Sequence, residues 1–179
     1  VYSAINWKTP IEETLFSMYR RRALQLREKY DYLILYFSGG DDSKNVLHSF
    51  INNGILIDEI VMQYPKPSEA GWNDWDLSNN NYFSEIKYSA IPHLKTIQAS
   101  LDPRTKVKFL DQANDTIELF QDEYWFEKYP LATMITPAGI GRQVSAIKDP
   151  DLYKLYEQNK KVCQIYGVDK PLILSLIHI

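Results

Sequence analysis

The feature that most constrains this chain is an uninterrupted apolar run over residues 32–37, Tyr-Leu-Ile-Leu-Tyr-Phe, which stops at two glycines. A run of this length and composition is typical of a strand that is buried on both faces. Apolar residues then recur at helical spacing over 46–51 before Asn53-Gly54, and a second apolar run covers 55–62. A strand, a helix and a strand within about thirty residues predict a βαβ unit, and therefore parallel strands.

The rest of the chain extends this unit. Alternating helical and strand patterns predict an α/β fold, an open and mostly parallel sheet with helices on both faces in a Rossmann-like arrangement. Residues 131–135 fit either a strand or a buried turn, and 65–82 form a long polar connection. The other expected elements are helices over 11–30, 83–98 (kinked at Pro92), 116–128 and 150–166, and a third strand over 106–110.

Composition limits the classes of partner. Among 179 residues, 20 basic and 23 acidic side chains give a net charge of −3, so nucleic acid is not indicated, although a tRNA substrate stays open. No apolar stretch reaches the roughly 18 residues of a membrane span. A single cysteine, Cys163, excludes an internal disulfide framework and a cysteine-based zinc site. We therefore expect a cytoplasmic protein that is not membrane-bound.

The informative loop is Ser38-Gly39-Gly40-Asp41-Asp42-Ser43, which leaves the first strand and opens the next helix. Backbone amides are unpaired at such a position, and the helix dipole adds partial positive charge. Adjacent glycines let the backbone approach an anion closely, and the two serines add hydroxyl donors. Asp42 is placed to cap the helix and to hold Mg²⁺. The pattern predicts a phosphate-binding loop.

This loop resembles the PP-loop, Ser-Gly-Gly-x-Asp-Ser, of the N-type ATP pyrophosphatases and the adenine nucleotide alpha-hydrolase-like proteins. All five fixed positions of that motif match, whereas neither the P-loop nor the dinucleotide fingerprint is present. The resemblance is specific over residues 32–64 and rests on element order alone through about residue 170. Lys44 departs from the family, which commonly has Ser or Thr there, and we expect this lysine to face solvent or, alternatively, to add positive charge to the pocket.

The resemblance implies an adenine nucleotide, ATP or phosphoadenosine phosphosulfate, bound with Mg²⁺. The adenine would lie against the end of the second strand near Met62, which is alternatively a core residue. Arg142, in the glycine-containing loop 139–142, would neutralise the α-phosphate or is simply exposed. The residues that the resemblance assigns to the nucleotide are Ser38, Gly39, Gly40, Asp41, Asp42, Ser43, Met62 and Arg142, with Asp42 also assigned to the metal.

Three functions follow from the resemblance. The first is cleavage of ATP to AMP and pyrophosphate, which adenylates an unknown acceptor. The second is a sulfonucleotide reductase-like protein, since the tyrosine-rich sequence after the loop is similar to reductase-like PP-loop proteins of phages and environmental genomes. That chemistry needs a cysteine on an exposed tail, whereas Cys163 is expected inside the last helix as a small core residue. The third is a non-catalytic nucleotide-binding module.

Two histidines and the chain ends complete the expectations. His48 and His93 lack metal-ligand spacing and are expected to pack or to lie at the surface. Residues 174–179 resemble the translation of a transposon-end sequencing adapter, and the chain begins with Val1. We therefore expect a fragment with an N-terminal helical segment (1–30), a truncated PP-loop domain (31–173) and a non-native tail (174–179), the alternative for the tail being a short natural strand.

Overall fold

A computed structural model describes residues 12–69, 82–124, 127 and 144–167. It contains a four-stranded, all-parallel sheet with helices packed on both faces, which confirms the predicted α/β class. The strands lie in the order β3-β2-β1-β4. Their bounds are β1 Tyr32–Tyr36, β2 Glu59–Tyr64, β3 Lys106–Asp111 and β4 Val162–Tyr166.

The helices precede or connect these strands. Between β2 and β3 a single helical run passes through a π-helical segment, Ile86–Ala90. The described α-helices are α1 Leu15–Lys29, α2 Asp41–Ile51, α3 Tyr82–Glu85, α4 Ile91–Ile97, α5 Ala113–Gln121 and α6 Pro150–Glu157. None of these helices is long and apolar enough to cross a membrane.

Alternate side chains of β1 enter two separate cores. One core, on the side of α2 and of the helical run before β3, contains Leu33, Leu35 and Phe37. The other core contains Ile34 and Tyr36, which pack with Ala146 and with Leu152 of α6. Each of these five β1-segment residues is at most 6% exposed. Burial on both faces explains why the segment is apolar throughout, as expected for the centre of a parallel sheet.

β1 has a parallel neighbour on each side, and the chain reaches them by different routes. From β1 the chain crosses over α2 to β2 on one side, whereas β4 pairs with the other side of β1, placing Ile165 beside Leu35. The strand order therefore reverses between β1 and β4. In open α/β sheets, ligands bind at the carboxyl ends of the strands at such a switch point. The loop after β1 lies at this edge.

Several predicted boundaries were wrong. The helix predicted over 150–166 ends at Glu157, and Val162–Tyr166 forms β4. Asn159 takes a left-handed φ of 55°, a conformation that ends helices and that asparagine tolerates. Cys163 therefore lies half-buried on an edge strand opposite Leu33, where burial raises the pKa of its thiol despite nearby cationic side chains.

The other differences are smaller. The second strand begins at Glu59 instead of 55 and continues to Tyr64. The helix predicted from 116 begins at Ala113, after Gln112. The kink predicted at Pro92 is replaced by the π-helical segment, because a wider turn before a proline accommodates the ring and the missing amide. Residues 131–135 lie outside the described residues.

Candidate functional site

The loop of residues 38–43 joins β1 to α2 at the switch point. Gly40 occupies the N-cap position with φ −71° and ψ 163°, and it supplies no side-chain cap. Asp41 and Asp42 are exposed in the first helical turn, whereas Ser43 is only 3% exposed. The side chain of the N-cap residue therefore satisfies none of the first amides of α2.

The two serine hydroxyls hold the glycine amides. The Gly39 amide donates to Ser43 Oγ at 3.2 Å, and the Gly40 amide donates to Ser38 Oγ at 3.2 Å. Ser43 Oγ in turn donates to the Gly40 carbonyl at 2.8 Å. The hydroxyls thus shape the loop from within, and the predicted donor set is partly engaged in internal hydrogen bonds.

The amides of Asp41, Asp42 and Ser43 form a second group of donors. No acceptor in the described part of the chain bonds any of the three, and the first intrahelical bond runs from the Lys44 amide to the Gly40 carbonyl at 3.0 Å. These amides carry the positive end of the α2 dipole. Chemically, this group is able to bind an anionic oxygen.

Gly39 is required for reasons internal to the fold. Its φ is +89°, a value that L side chains rarely adopt, and an added Cβ would lie 2.5 Å from the Ala90 amide nitrogen. Ser89 Oγ also donates to the Gly39 carbonyl at 2.5 Å. The π-helical segment is therefore packed directly on the loop, and π segments recur at functional sites.

Gly40 differs from Gly39 both in its backbone conformation and in the atoms that an added Cβ would meet. Its φ of −71° suits any residue, and an added Cβ would meet only two side-chain atoms, Glu85 Oε1 at 3.2 Å and Ser38 Oγ at 3.4 Å. The backbone conformation therefore does not explain a glycine here. A side chain at Gly40, the N-cap residue of α2, would lie between Glu85 and Ser38.

Gly167 forms the other wall of the site. It follows β4, and an added Cβ would lie 2.5 Å from the Ser43 amide nitrogen and 2.8 Å from the Asp42 carbonyl carbon. The end of β4 thus reaches the start of α2 across the switch point. Of the three amides without an acceptor, that of Ser43 is accordingly the most enclosed.

The predicted metal residue, Asp42, is exposed and has no ion pair or hydrogen bond to its carboxylate in the described residues, whereas Asp41 pairs with Lys44 at 3.7 Å. No group of three potential ligands is found within the described part of the chain. A Mg²⁺ that arrives on phosphate oxygens needs only one or two protein carboxylates. Asp42 therefore fits a metal that is shared with a ligand and does not fit a site built by the protein alone.

Of the two residues predicted further from the loop, Met62 has its side chain in the core. Met62 is 2% exposed inside the α2-side core, and β2 continues beyond it to Tyr64. Its side chain is packed as a core residue, and the strand end that would face an adenine consists of Gln63 and Tyr64. Arg142 lies outside the described residues.

A pair of tyrosines lies at the same edge on the opposite face. The rings of Tyr36 and Tyr166, which are register partners on β1 and β4, stack at 4.5 Å with an interplanar angle of 3°. Tyr166 remains 39% exposed, and burial raises its pKa to about 12. Sequence patterns missed this pair, because β4 was predicted to be helical.

The two histidines pack together beside the loop. Their rings lie 5.1 Å apart in an edge contact, and His93 also lies 5.9 Å from Phe37. Burial lowers the pKa of His93, and the neighbouring His48 and Lys44 lower it further. The pair therefore forms part of the packing between α2 and α4, as the sequence predicted for packing or surface residues.

Comparison of this chain with protein-family models, with curated proteins and with solved structures finds no match. The functional argument therefore depends on the loop motif and on the geometry around it. The residues that sequence reasoning missed there are Glu85, Ser89, Ala90 and Gly167. None of them carries a local signal, since each reaches the loop only through the packing of distant segments.

Proposed function

We propose that the loop of residues 38–43 binds the phosphates of an adenine nucleotide, ATP or phosphoadenosine phosphosulfate. One observation carries this proposal: the amides of Asp41, Asp42 and Ser43 have no acceptor in the described chain and lie at the switch point of a parallel sheet. Such amides, at the positive end of a helix dipole, favour a phosphate oxygen.

The glycines and serines of the loop also support phosphate binding. Gly40 has a backbone conformation that would accept a side chain, and an added Cβ would lie 3.4 Å from the Ser38 hydroxyl oxygen. Ser38 and Ser43 hold their hydroxyls 3.4 Å apart, and both exchange hydrogen bonds within the loop. Hydroxyl donors rotate at little cost, so a phosphate oxygen would compete for them when it enters.

For ATP we propose cleavage between the α- and β-phosphates. An oxygen nucleophile of the acceptor would form a bond to the α-phosphorus while the bond to the bridging oxygen breaks, and that electron pair leaves with pyrophosphate. Mg²⁺ shared between Asp42 and the phosphate oxygens would neutralise the leaving group. The protein would contribute by positioning and by charge neutralisation from the amides of α2.

Calorimetry on the full chain tests the proposal with MgATP, phosphoadenosine phosphosulfate, pyrophosphate and adenosine as separate ligands. We expect the three anionic ligands to bind and adenosine alone to bind weakly. Gly40→Ala should weaken binding at least tenfold, because its Cβ would lie 3.4 Å from Ser38 Oγ and would narrow the loop beside this proposed phosphate donor. Gly54→Ala is the control, since Gly54 lies after the other end of α2, away from the loop, and an added Cβ there would meet nothing within 4 Å.

The outcomes separate the functions. Release of pyrophosphate from ATP supports cleavage, whereas binding without turnover in the presence of candidate acceptors supports a nucleotide-binding module. If no anionic ligand binds, or if Gly40→Ala and wild type bind them equally, the loop is not the phosphate site and the proposal fails.

A further inference from the structure

A carboxylate stands beside the space that Gly40 leaves open. Glu85 ends α3, and its Oε1 lies 3.2 Å from the position that a Gly40 Cβ would occupy, next to Ser38 Oγ. Glu85 is exposed, and within the described residues its carboxylate makes no ion pair and no hydrogen bond. An uncompensated negative charge therefore lies on the side from which an anion would reach the loop.

The position of Glu85 is fixed by the segment that follows it. Ser89, four residues later and roughly one helical turn away, donates to the Gly39 carbonyl, and the Ala90 backbone packs against Gly39. Glu85 and Ser89 thus face the loop together. The backbone of Glu85 is therefore held beside the loop, and its exposed carboxylate lies within reach of the Gly40 position.

This placement has an electrostatic consequence for any ligand of the loop. Two negative charges about 5 Å apart weaken binding by about fourfold at the dielectric constant of water and by over about a hundredfold at the one typical of a protein surface, so a solvated carboxylate should cost about tenfold. A divalent cation on the phosphates would cancel that repulsion and would give Glu85 an attractive partner. The amides of α2 favour an anion, and Glu85 decides in which form the anion arrives.

We propose that Glu85 makes the loop selective for metal-complexed polyphosphates over metal-free anions. This inference rests on the proposed phosphate-binding function and names the form of its ligand. Glu85 acts as a specificity residue: it disfavours pyrophosphate or nucleotide without Mg²⁺, and simple anions such as sulfate.

The test is calorimetric binding of pyrophosphate to the full chain, with excess Mg²⁺ and with EDTA. Glu85→Gln should bind metal-free pyrophosphate about tenfold more tightly than wild type and should gain less from Mg²⁺. Raising the ionic strength should shrink the difference, because salt screens the exposed carboxylate. Glu157→Gln, which removes the same charge from exposed α6, should behave as wild type.

The binding results distinguish failure of the inference about Glu85 from failure of the proposed phosphate site. If wild type binds pyrophosphate and Glu85→Gln binds it with the wild-type affinity both with Mg²⁺ and with EDTA, the inference about Glu85 is overturned and the phosphate site stands. The same holds if Glu85→Gln binds metal-free pyrophosphate more weakly. If wild type and Glu85→Gln both fail to bind in either condition, the proposed function is overturned together with the inference.

Discussion

The backbone of Gly167 lies so close to Ser43 that a Cβ on Gly167 would stand 2.5 Å from the Ser43 amide nitrogen. This contact joins the end of β4 to the start of α2. On the other side of the loop, the backbone of Ala90 lies equally close to Gly39. The loop is therefore held between two backbone segments that sequence separates widely, and its shape is set before any ligand enters.

Gly167→Ala should destabilise the fold by about 1–3 kcal/mol, because the atoms that its Cβ meets belong to the backbone and cannot rotate away. Urea unfolding gives the change in free energy. Gly40→Ala, whose Cβ meets only side-chain atoms, should lose less than about 1 kcal/mol. A loss at Gly167 no larger than the loss at Gly40 would show that β4 does not approach α2 as described.

Gly39→Ala should mainly reduce the stability of the fold, whereas Gly40→Ala should mainly reduce the affinity for pyrophosphate. At Gly39 a left-handed φ of +89° and a clash with the Ala90 backbone should together cost about 2–4 kcal/mol. At Gly40 the fold should be retained and pyrophosphate binding lost. Unfolding and calorimetry on the same two variants make the comparison, and equal losses of stability would contradict it.

Lys108 should be important for stability because it is paired with two buried carboxylates. Its Nζ lies 2.6 Å from Asp149 Oδ2 and 2.8 Å from Glu59 Oε1, and these two residues are only 5% and 4% exposed. Lys108→Met should cost about 3 kcal/mol at pH 7, the lower part of the range for a broken buried pair, because the lysine is 24% exposed. Lys106→Met, at an exposed position of the same strand, is the control and should cost little.

The stability lost in Lys108→Met should also depend on pH. Burial alone would lower the pKa of Lys108, but its bonds to Asp149 and Glu59 outweigh burial and raise it. The ion pair therefore contributes fully below the unfolded pKa of about 10.5 and is lost as pH rises through the folded value. The stability difference between wild type and Lys108→Met should narrow above about pH 10.5. A difference independent of pH would assign the loss to packing.

The stacked tyrosines should make the fold sensitive to alkali. Burial raises the pKa of Tyr36, with the charge of Tyr166 adding to the effect, and burial raises the pKa of Tyr166 to about 12. Unfolded tyrosines release their protons near pH 10, so stability is fully present below that value and falls above it, by about 1.4 kcal/mol per pH unit for each such tyrosine. Tyr36→Phe should flatten this fall, whereas Tyr153→Phe at an exposed position should not.

Parts of this molecule were predictable from sequence because the signal was local. The apolar run of β1, the glycines after it and the helical spacing of α2 together predicted the βαβ unit. β4 was not predictable, since residues 150–166 keep apolar side chains at spacings that suit one long helix and only the left-handed Asn159 interrupts them. The contacts of Glu85 and Gly167 with the loop depend on tertiary packing, which local patterns do not encode.

Amide NMR of ¹⁵N-labelled full chain during titration with MgATP or magnesium pyrophosphate tests the central claim directly, since it observes the three amides themselves. We predict saturable shifts that are largest at Asp41, Asp42 and Ser43. Saturable shifts confined to residues away from the loop, or no shifts at millimolar ligand, would contradict the claim.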